Sequence, residues 1–305
     1  MWFNDNGSGY NFSSIGYNMT KGRESVVNML DNGYWSQRWG SHMEKTNRVH
    51  WVNPRIENKN CNDLPDPSTW DLHPEAEIFC YVDNETGNGF HMHFPFKGFQ
   101  PEHLVVDMCS SLGYYDVNFK DISYGFHTVK KSGVMGGSLC VNFWSDEYKD
   151  FKVRDKTPEF LDWRNEIGWF RSKCPSLVHI YFTYLVYKHL SKNHNLRTHA
   201  DFSAERAKVI YDAIERSSGF YNCPNHPEHR SNVSPCFHIN GNDVEMTKKF
   251  IKEAEDVGLM NLDGYPHVGG IRACLFASMP IEGAQALAKF MDEFRDKNQS
   301  SVVDI

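Results

Sequence analysis

The feature that most constrains the fold is a set of four short apolar runs in the first half of the chain. They cover residues 77–82, 104–108, 122–128 and 137–143. Polar loops that contain Gly and Pro bound them, and runs of this length suit strands that are covered on both faces. Because helix-like stretches separate some of these runs, the pattern predicts an α/β domain with a mostly parallel sheet. Ligands of such domains collect at the carboxyl ends of the strands.

The second half of the chain predicts helices with a few strands between them. Residues 175–192 are typical of a long buried helix. Three further helices have a capping residue or a proline at the start, namely Ser203, Asp243 and Pro280. The strand candidates are residues 233–239 and 270–276. We therefore expect a large domain over residues 1–194 and a smaller C-terminal α+β domain over residues 195–305.

Charge and cysteine usage narrow the classes of partner. The net charge of −7 over 305 residues provides no basic surface for nucleic acid. The eight cysteines include no CxxC pair, which favours reduced thiols in a cytoplasmic compartment over a disulfide framework. The first residues do not resemble a signal peptide, and the longest apolar stretch is shorter than the ~20 residues that span a bilayer. We expect neither a nucleic acid nor a membrane as a partner.

Two adjacent lysines, Lys130 and Lys131, follow an apolar run and precede a cluster of glycines. A lysine becomes a nucleophile when burial or neighbouring charges lower its pKa, and the end of a buried strand supplies burial. The glycines would let a ligand approach the backbone closely. From the local pattern alone, a pair of solvated lysines at a strand end is the favoured interpretation.

Three other positions are candidates for a bound cofactor. Asp107 ends an apolar run, where it can bind a protonated heterocyclic nitrogen or cap the next turn. Trp35 can provide a stacking surface or belong to the core. The glycine-rich segment around Ser8 and Gly9 precedes a helix-like run, and the N–H groups at a helix start can bind an anion.

A cluster of Cys223, His226 and His229 raises the question of a zinc site. The spacing differs from that of a standard zinc finger, and both histidines lie in a polar loop rich in proline. We therefore predict no metal.

Several longer segments resemble the phosphoserine aminotransferase family. The segment VGGIRACLFASMPIEGAQALAKFMDEF at residues 268–294 carries the resemblance, as do SSGFYNCPNHPEHRS and the Asn-Glu-Thr motif within residues 64–89. The resemblance covers nearly the whole chain. It implies a fold-type I enzyme that depends on pyridoxal 5′-phosphate (PLP), works as a homodimer and transfers an amino group between L-glutamate and 3-phosphohydroxypyruvate in L-serine biosynthesis. Some members also act in pyridoxine biosynthesis.

Carried over position by position, the resemblance implies the contacts of the cofactor. Trp35 matches the tryptophan that stacks on the pyridine ring, and Thr86 matches the hydroxyl beside the phenolic oxygen. Asp107 matches the acid that pairs with the pyridinium nitrogen. Ser8 and Gly9 match the backbone that binds the cofactor phosphate.

The resemblance also implies the lysine and the substrate arginine. Arg272 matches the arginine that binds the substrate α-carboxylate, for which a planar guanidinium is well suited. An ungapped match to the lysine motif places Lys130 at the Schiff-base position, because Gly133 and Gly136 then match the family glycines. Lys130 would also act as general base and acid.

The chain departs from the family at positions that handle phosphate. Val129 replaces a glutamine, Lys173 and Cys174 replace an Asn-Thr pair, and Tyr265 and Pro266 replace a His-Arg pair. The resemblance to the family begins after the family's N-terminal segment, so we expect a form that is shortened relative to the family. We expect a cytoplasmic protein, with an organelle as the alternative if an N-terminal segment is missing. The alternative function is a catalytically impaired or substrate-altered member that serves as a dimer partner or binding protein.

Overall fold

The computed structural model describes residues 1–52, 64–93, 103–132, 139–146, 153–165, 176–193 and 196–299. Its strands are, in chain order, β1 Trp2–Asn4, β2 Val26–Leu30, β3 Arg48–Val52, β4 Ala76–Val82, β5 Asn84–Glu85, β6 Phe90–His91, β7 Leu104–Asp107, β8 Tyr124–Thr128, β9 Cys140–Trp144, β10 Tyr221–Asn222, β11 Cys236–Ile239 and β12 Ile271–Arg272. Its α-helices are α1 Gly7–Met19, α2 Tyr34–Met43, α3 Leu177–Asn193, α4 Leu196–Glu215, α5 Val244–Asp256 and α6 Ile281–Gln299.

A seven-stranded sheet forms the centre of the first half, with the order β1-β9-β8-β7-β4-β2-β3. The contacts of β2 with β3 and β4, and those of β7 with β4 and β8, are parallel. Strand β9 runs antiparallel to both β8 and β1. The prediction of a mostly parallel α/β sheet is therefore confirmed. The four predicted runs correspond to β4, β7, β8 and β9, although the start of the fourth lies outside the described residues.

Helices α1 and α2 cover the sheet because both have an aromatic face. Phe12 of α1 stacks on Trp39 of α2 with ring centroids 5.5 Å apart, and Phe126 of β8 meets both rings edge to face. All three side chains are almost fully buried. This packing fixes the starts of α1 and α2 relative to the carboxyl ends of the central strands.

A second hydrophobic core lies in the C-terminal part, where α4, α5 and α6 pack around the antiparallel strands β10, β11 and β12. Asp243 caps α5 as predicted, because its carboxylate accepts a hydrogen bond from the Met246 N–H at 2.9 Å. Pro280 directly precedes α6, also as predicted. The domain boundary near residue 195 coincides with the junction of α3 and α4 and stays a prediction.

Two predictions about the helices are wrong. Ser203 does not begin a helix, because α4 starts at Leu196 and the Ser203 hydroxyl donates to the His199 carbonyl within it. The helix predicted as buried, α3, exposes much of its apolar surface, including Leu177 at 77% and Tyr181 at 59%. Apolar composition alone could not separate a core helix from a helix with an uncovered apolar face.

Within the described ranges, no helix is long and apolar enough to cross a membrane. The same residues contain no group of three or more His, Cys, Asp or Glu side chains that could hold a metal ion. In the segment of Cys223, His226 and His229, the His229 ring stacks on Phe90 with ring centroids 4.7 Å apart.

Candidate active site

The candidate site lies at the carboxyl ends of β4, β7 and β8, where the parallel sheet predicts a ligand. Asp107 is the last residue of β7, and Lys131 follows β8 by three residues. Arg272 ends β12 in the second core. Strands β7 and β8 are parallel neighbours, and the Lys131 backbone bonds to Ala277 just after β12, which brings the three residues to one site. The charges of Arg272 and Asp107 accordingly influence or respond to that of Lys131.

The structure gives the two adjacent lysines different surroundings, and the assignment of Lys130 stays a prediction. The Lys130 side chain is exposed to solvent, whereas the Lys131 side chain is partly buried in the site. Val129 packs with Leu139 in a small apolar cluster, and the turn that follows directs Lys130 outward. The Lys131 carbonyl then accepts from the Ala277 N–H at 3.2 Å, which ties this segment to the residues that follow β12. The downstream glycines on which the prediction depended lie outside the described residues.

The Lys131 amine has the properties of a reactive lysine. Burial lowers its pKa to about 8, since removal from water disfavours the charged form. The neighbouring Arg272 charge lowers this pKa further, against the opposite influence of Cys274. About a tenth of the amine is therefore uncharged at pH 7 and about half at pH 8, which supplies the form that a nucleophile or base requires.

Asp107 is a buried carboxyl group with 4% of its surface exposed. Burial and the charge of Asp83 raise its pKa to about 6, against the hydrogen bonds from Cys109 and the charge of Lys131. One of its oxygens accepts from the Cys109 N–H at 2.8 Å. A carboxylate that is costly to ionise is suited to bind a cationic group, because a partner charge offsets the lost hydration.

Glu85 fixes the start of α2, and the sequence analysis missed it. Its carboxylate accepts from the N–H groups of Trp35 at 3.2 Å and Ser36 at 2.7 Å. Burial raises its pKa to about 7, opposed mainly by these two hydrogen bonds. Glu85 thereby sets the position of the Trp35 ring, and Thr86, the next residue, is buried beside it. The position of Glu85 after an apolar run could have indicated this role, since acidic side chains are favoured at helix starts.

The start of α1 provides a site for an anion. Ser8 and Gly9 lie in its first turn, and no side chain caps the helix at Asn6. A Cβ atom added at Gly9 would meet nothing within 4 Å, so the described part of the chain leaves the space open. Uncapped N–H groups together with the helix dipole favour a phosphate.

Arg272 and Tyr265 form the other side of the site. The Arg272 guanidinium lies 5.1 Å from the centre of the Tyr265 ring. Its buried Nε has no hydrogen-bond partner among the described residues, so it remains available for a ligand. The Tyr265 ring meets the Trp35 ring edge to face with centroids 6.2 Å apart, so the side formed by Arg272 and Tyr265 contacts the side formed by α2.

His127 joins the two segments that carry the reactive groups, and no sequence signal predicted it. Its Nδ1 lies 3.1 Å from the Met108 carbonyl and therefore donates to it. Its Nε2 then accepts, with the Ser132 hydroxyl at 2.9 Å and the Tyr187 hydroxyl at 3.2 Å. Met108 adjoins Asp107 and Ser132 adjoins Lys131, so this imidazole fixes their separation.

We predict that His127→Leu lowers the free energy of unfolding by about 1–3 kcal/mol, because it leaves buried polar groups unpaired. Burial lowers the pKa of His127 to about 4. The unfolded chain therefore binds more protons between about pH 4 and the ordinary value, and this group makes the folded state less stable as the pH falls through that window. Urea unfolding from pH 7 to pH 5 checks both effects, with exposed His226→Leu as the matched control. Equal pH dependence in H127L and wild type would contradict the assignment.

Comparison with known proteins relates this geometry to one family. No family model matches the chain. The phosphoserine aminotransferase of Laribacter hongkongensis is 30% identical over 296 residues, which are 96% of this chain and 79% of that protein. The phosphoserine aminotransferase of Drosophila melanogaster is 28% identical, covering 95% of this chain and 79% of the relative.

Solved structures agree with these relatives. The PLP-bound phosphoserine aminotransferase of Trichomonas vaginalis has a TM-score of 0.85 and 25% identity, covering 95% of this chain and 81% of that one. The phosphoserine aminotransferase of Bacillus circulans subsp. alkalophilus has a TM-score of 0.87 and 23% identity, covering 97% of this chain and 80% of that one, and it supports the fold. Together with the Laribacter relative, they establish that the chain belongs to the phosphoserine aminotransferase family.

Proposed function

We propose that this chain is a PLP-dependent phosphoserine transaminase, which exchanges an amino group between L-glutamate and 3-phosphohydroxypyruvate in L-serine biosynthesis. The observation that carries the proposal is that Asp107 ends β7 and Lys131 follows the neighbouring parallel strand β8, with the charge of Arg272 acting on Lys131. The hypothesis of a catalytically impaired member has less support, because these groups lie together with pKa values suited to transamination.

The residues present fit PLP. The N–H groups of Ser8 and Gly9 would bind its phosphate, and the open space at Gly9 leaves room for that group. Trp35 would stack on the ring, Thr86 would reach its phenolic oxygen, and Asp107 would pair with the ring nitrogen. When bound, PLP supplies a ring that withdraws electrons from the substrate Cα.

Lys131 is proposed as the residue that holds the cofactor and moves the proton, in place of Lys130. With the cofactor and substrate bound, its uncharged Nζ would take the proton from the substrate Cα as a base and, once protonated, would donate it back as an acid. Asp107 remains anionic beside a protonated ring nitrogen and keeps that proton in place. His127 keeps the two reactive groups at a fixed separation through Ser132 and Met108.

Arg272 is proposed to bind the substrate α-carboxylate. Two parallel N–H donors of a guanidinium match the two oxygens of a carboxylate, which orients the Cα–H bond toward the lysine. The cation–π contact with Tyr265 restricts the guanidinium before the substrate arrives.

Addition of L-glutamate to the PLP-loaded protein tests the function. We expect the visible absorbance band of the lysine-bound cofactor to disappear and the band of the aminated cofactor to appear. Subsequent 3-phosphohydroxypyruvate should restore the first band and release O-phospho-L-serine, detected by mass spectrometry. A spectrum that glutamate leaves unchanged would overturn the proposal.

The proposal includes a homodimer, supported by the uncovered apolar side chains of α3. The exposed members are Leu177, Val178, Tyr181, Phe182, Tyr184 and Leu185. An apolar patch of this kind marks a protein interface. We expect Tyr181→Glu to shift the protein from dimer to monomer in sedimentation velocity, because it places a charge in the patch. Lys192→Glu on the same helix is the control, and a monomeric wild type would contradict the assignment.

The cytoplasm is the proposed compartment. The six described cysteines form no disulfide, and the cysteine pattern favours reduced thiols. Cell fractionation with an antibody against the protein would test this, and recovery in an organelle would contradict it.

A further inference from the structure

Two guanidinium groups that pair with no carboxylate of the described residues lie against one aromatic cluster at the site. The first is Arg272, beside Tyr265. The second is Arg38 on α2, whose Cζ lies 5.5 Å from the centre of the Trp35 ring. Within the ranges that the structure describes, the Arg38 guanidinium forms neither a hydrogen bond nor an ion pair, although the Arg38 carbonyl accepts from the Ser41 hydroxyl. The function proposed above gives no role to Arg38.

The spacing along α2 places Arg38 on the helix face that borders the site. Arg38 follows Trp35 by three residues and Tyr34 by four, so the three side chains share one face of α2. The Tyr34 ring lies 5.2 Å from that of Tyr265. Because α2 is fixed at its start by Glu85, this face cannot rotate away from the site.

Tyr265 links the two arginines. The charges of Arg272 and Arg38 both act on its hydroxyl group and favour its ionised form, although burial and Tyr34 keep its pKa raised overall. Glu85 also lies near Tyr265, but its oxygens accept hydrogen bonds from the backbone of Trp35 and Ser36. The cluster thus holds two positive charges, and no carboxylate of the described residues forms an ion pair with either of them.

We infer that Arg38 is the second anion-binding residue of the substrate site, and that it binds the phosphate of a phosphorylated amino or 2-oxo acid whose carboxylate is bound by Arg272. The inference rests on the proposed function and deepens it. A guanidinium binds phosphate and carboxylate in the same two-pronged way, so a ligand with an anion at each end fits a pair of arginines. The aromatic rings of Trp35 and Tyr265 lie against the two guanidinium groups, which restricts their orientation.

Binding of two inert ligands tests the inference on the PLP-loaded protein. 3-Phosphoglycerate carries a carboxylate and a phosphate but no amino or keto group, and glycerate lacks the phosphate. Isothermal titration calorimetry in phosphate-free buffer gives both affinities without turnover. We expect the wild type to bind 3-phosphoglycerate more tightly than glycerate.

The variants separate charge from packing. Arg38→Met keeps the alkyl contact with Trp35 but removes the charge, and we expect it to weaken 3-phosphoglycerate by about 10- to 100-fold while leaving glycerate unchanged. Arg38→Lys should recover part of the loss, since it restores a point charge. Arg272→Gln should weaken both ligands. Arg48→Gln, on an exposed position of β3, is the matched control and should behave as wild type.

The outcomes distinguish this inference from the proposed function. Unchanged 3-phosphoglycerate binding in R38M, or equal weakening of both ligands, would overturn the role of Arg38 while the glutamate reaction still supports transamination. Absence of the glutamate reaction in the wild type would overturn the proposed function, and the two ligands would still report on Arg38.

Discussion

Replacing Lys131 with alanine is expected to lower kcat for transamination by about 10³-fold or more, because one change removes both the attachment point of the cofactor and the proton carrier. The variant should also lose the visible absorbance band of the lysine-bound cofactor and release PLP on dialysis. Borohydride reduction of the wild type, followed by proteolysis and mass spectrometry, should identify Lys131 as the residue that carries the reduced cofactor.

Lys130→Ala is the matched control, because the two lysines are adjacent and differ in exposure. We expect K130A to retain the absorbance band and most of the activity. Modification at Lys130, or loss of the band in K130A with retention in K131A, would restore the sequence-based assignment and refute the one made from the structure.

The pH dependence of cofactor attachment follows from the same lysine. Its amine must be uncharged to attack the cofactor aldehyde, and its pKa is lowered to about 8 by burial. The rate of reconstitution with PLP should therefore rise with pH and level off above about pH 8. Stopped-flow absorbance of the apo-protein mixed with PLP measures this rate.

The sheet and the acid of the site could be predicted because each depends on a local pattern. Uninterrupted apolar runs identified β4, β7 and β8, and the position of Asp107 at the end of such a run placed it at the ligand-binding edge. The parallel arrangement followed from the alternation with helices. These inferences needed no knowledge of which side chains meet.

The choice between the two lysines is harder to make from the sequence, because it depends on side-chain direction. The match to Gly133 and Gly136 favours Lys130, whereas the structure exposes the Lys130 side chain and partly buries that of Lys131. Successive side chains near a strand face opposite sides, and the spacing to a nearby glycine does not determine which side each one faces.

Contacts between remote segments explain the other residues that were missed. His127 acts through Ser132 and through Tyr187 of α3, which lies 60 residues away in sequence. The proposed role of Arg38 depends on its position near Tyr265 and Arg272, which lie at the opposite end of the chain in sequence. No periodicity or capping rule joins such positions.

Replacing Asp107 with asparagine is expected to produce opposite effects on activity and on the stability of the apo-protein. Transamination should fall by about 10³-fold, because the neutral amide cannot hold a proton on the cofactor ring nitrogen. The amide oxygen can still accept from the Cys109 N–H, so the local structure should persist. A cofactor analogue with a methylated, permanently charged ring nitrogen should restore part of the activity.

The stability effect follows from the buried charge. Burial first, and Asp83 in addition, raise the pKa of Asp107 to about 6, so the folded state binds its proton more tightly than the unfolded chain. Ionisation of this group therefore destabilises the folded apo-protein as the pH rises, fully so above about pH 6, by about 3 kcal/mol. D107N removes that penalty, and its apo-form should unfold at higher urea concentration than wild type at pH 7.5, with the difference shrinking toward pH 4. An apo-D107N less stable than wild type at pH 7.5 would mean that the carboxylate is stabilised in the fold without a cofactor, and that its high pKa does not reflect a site built for a cation.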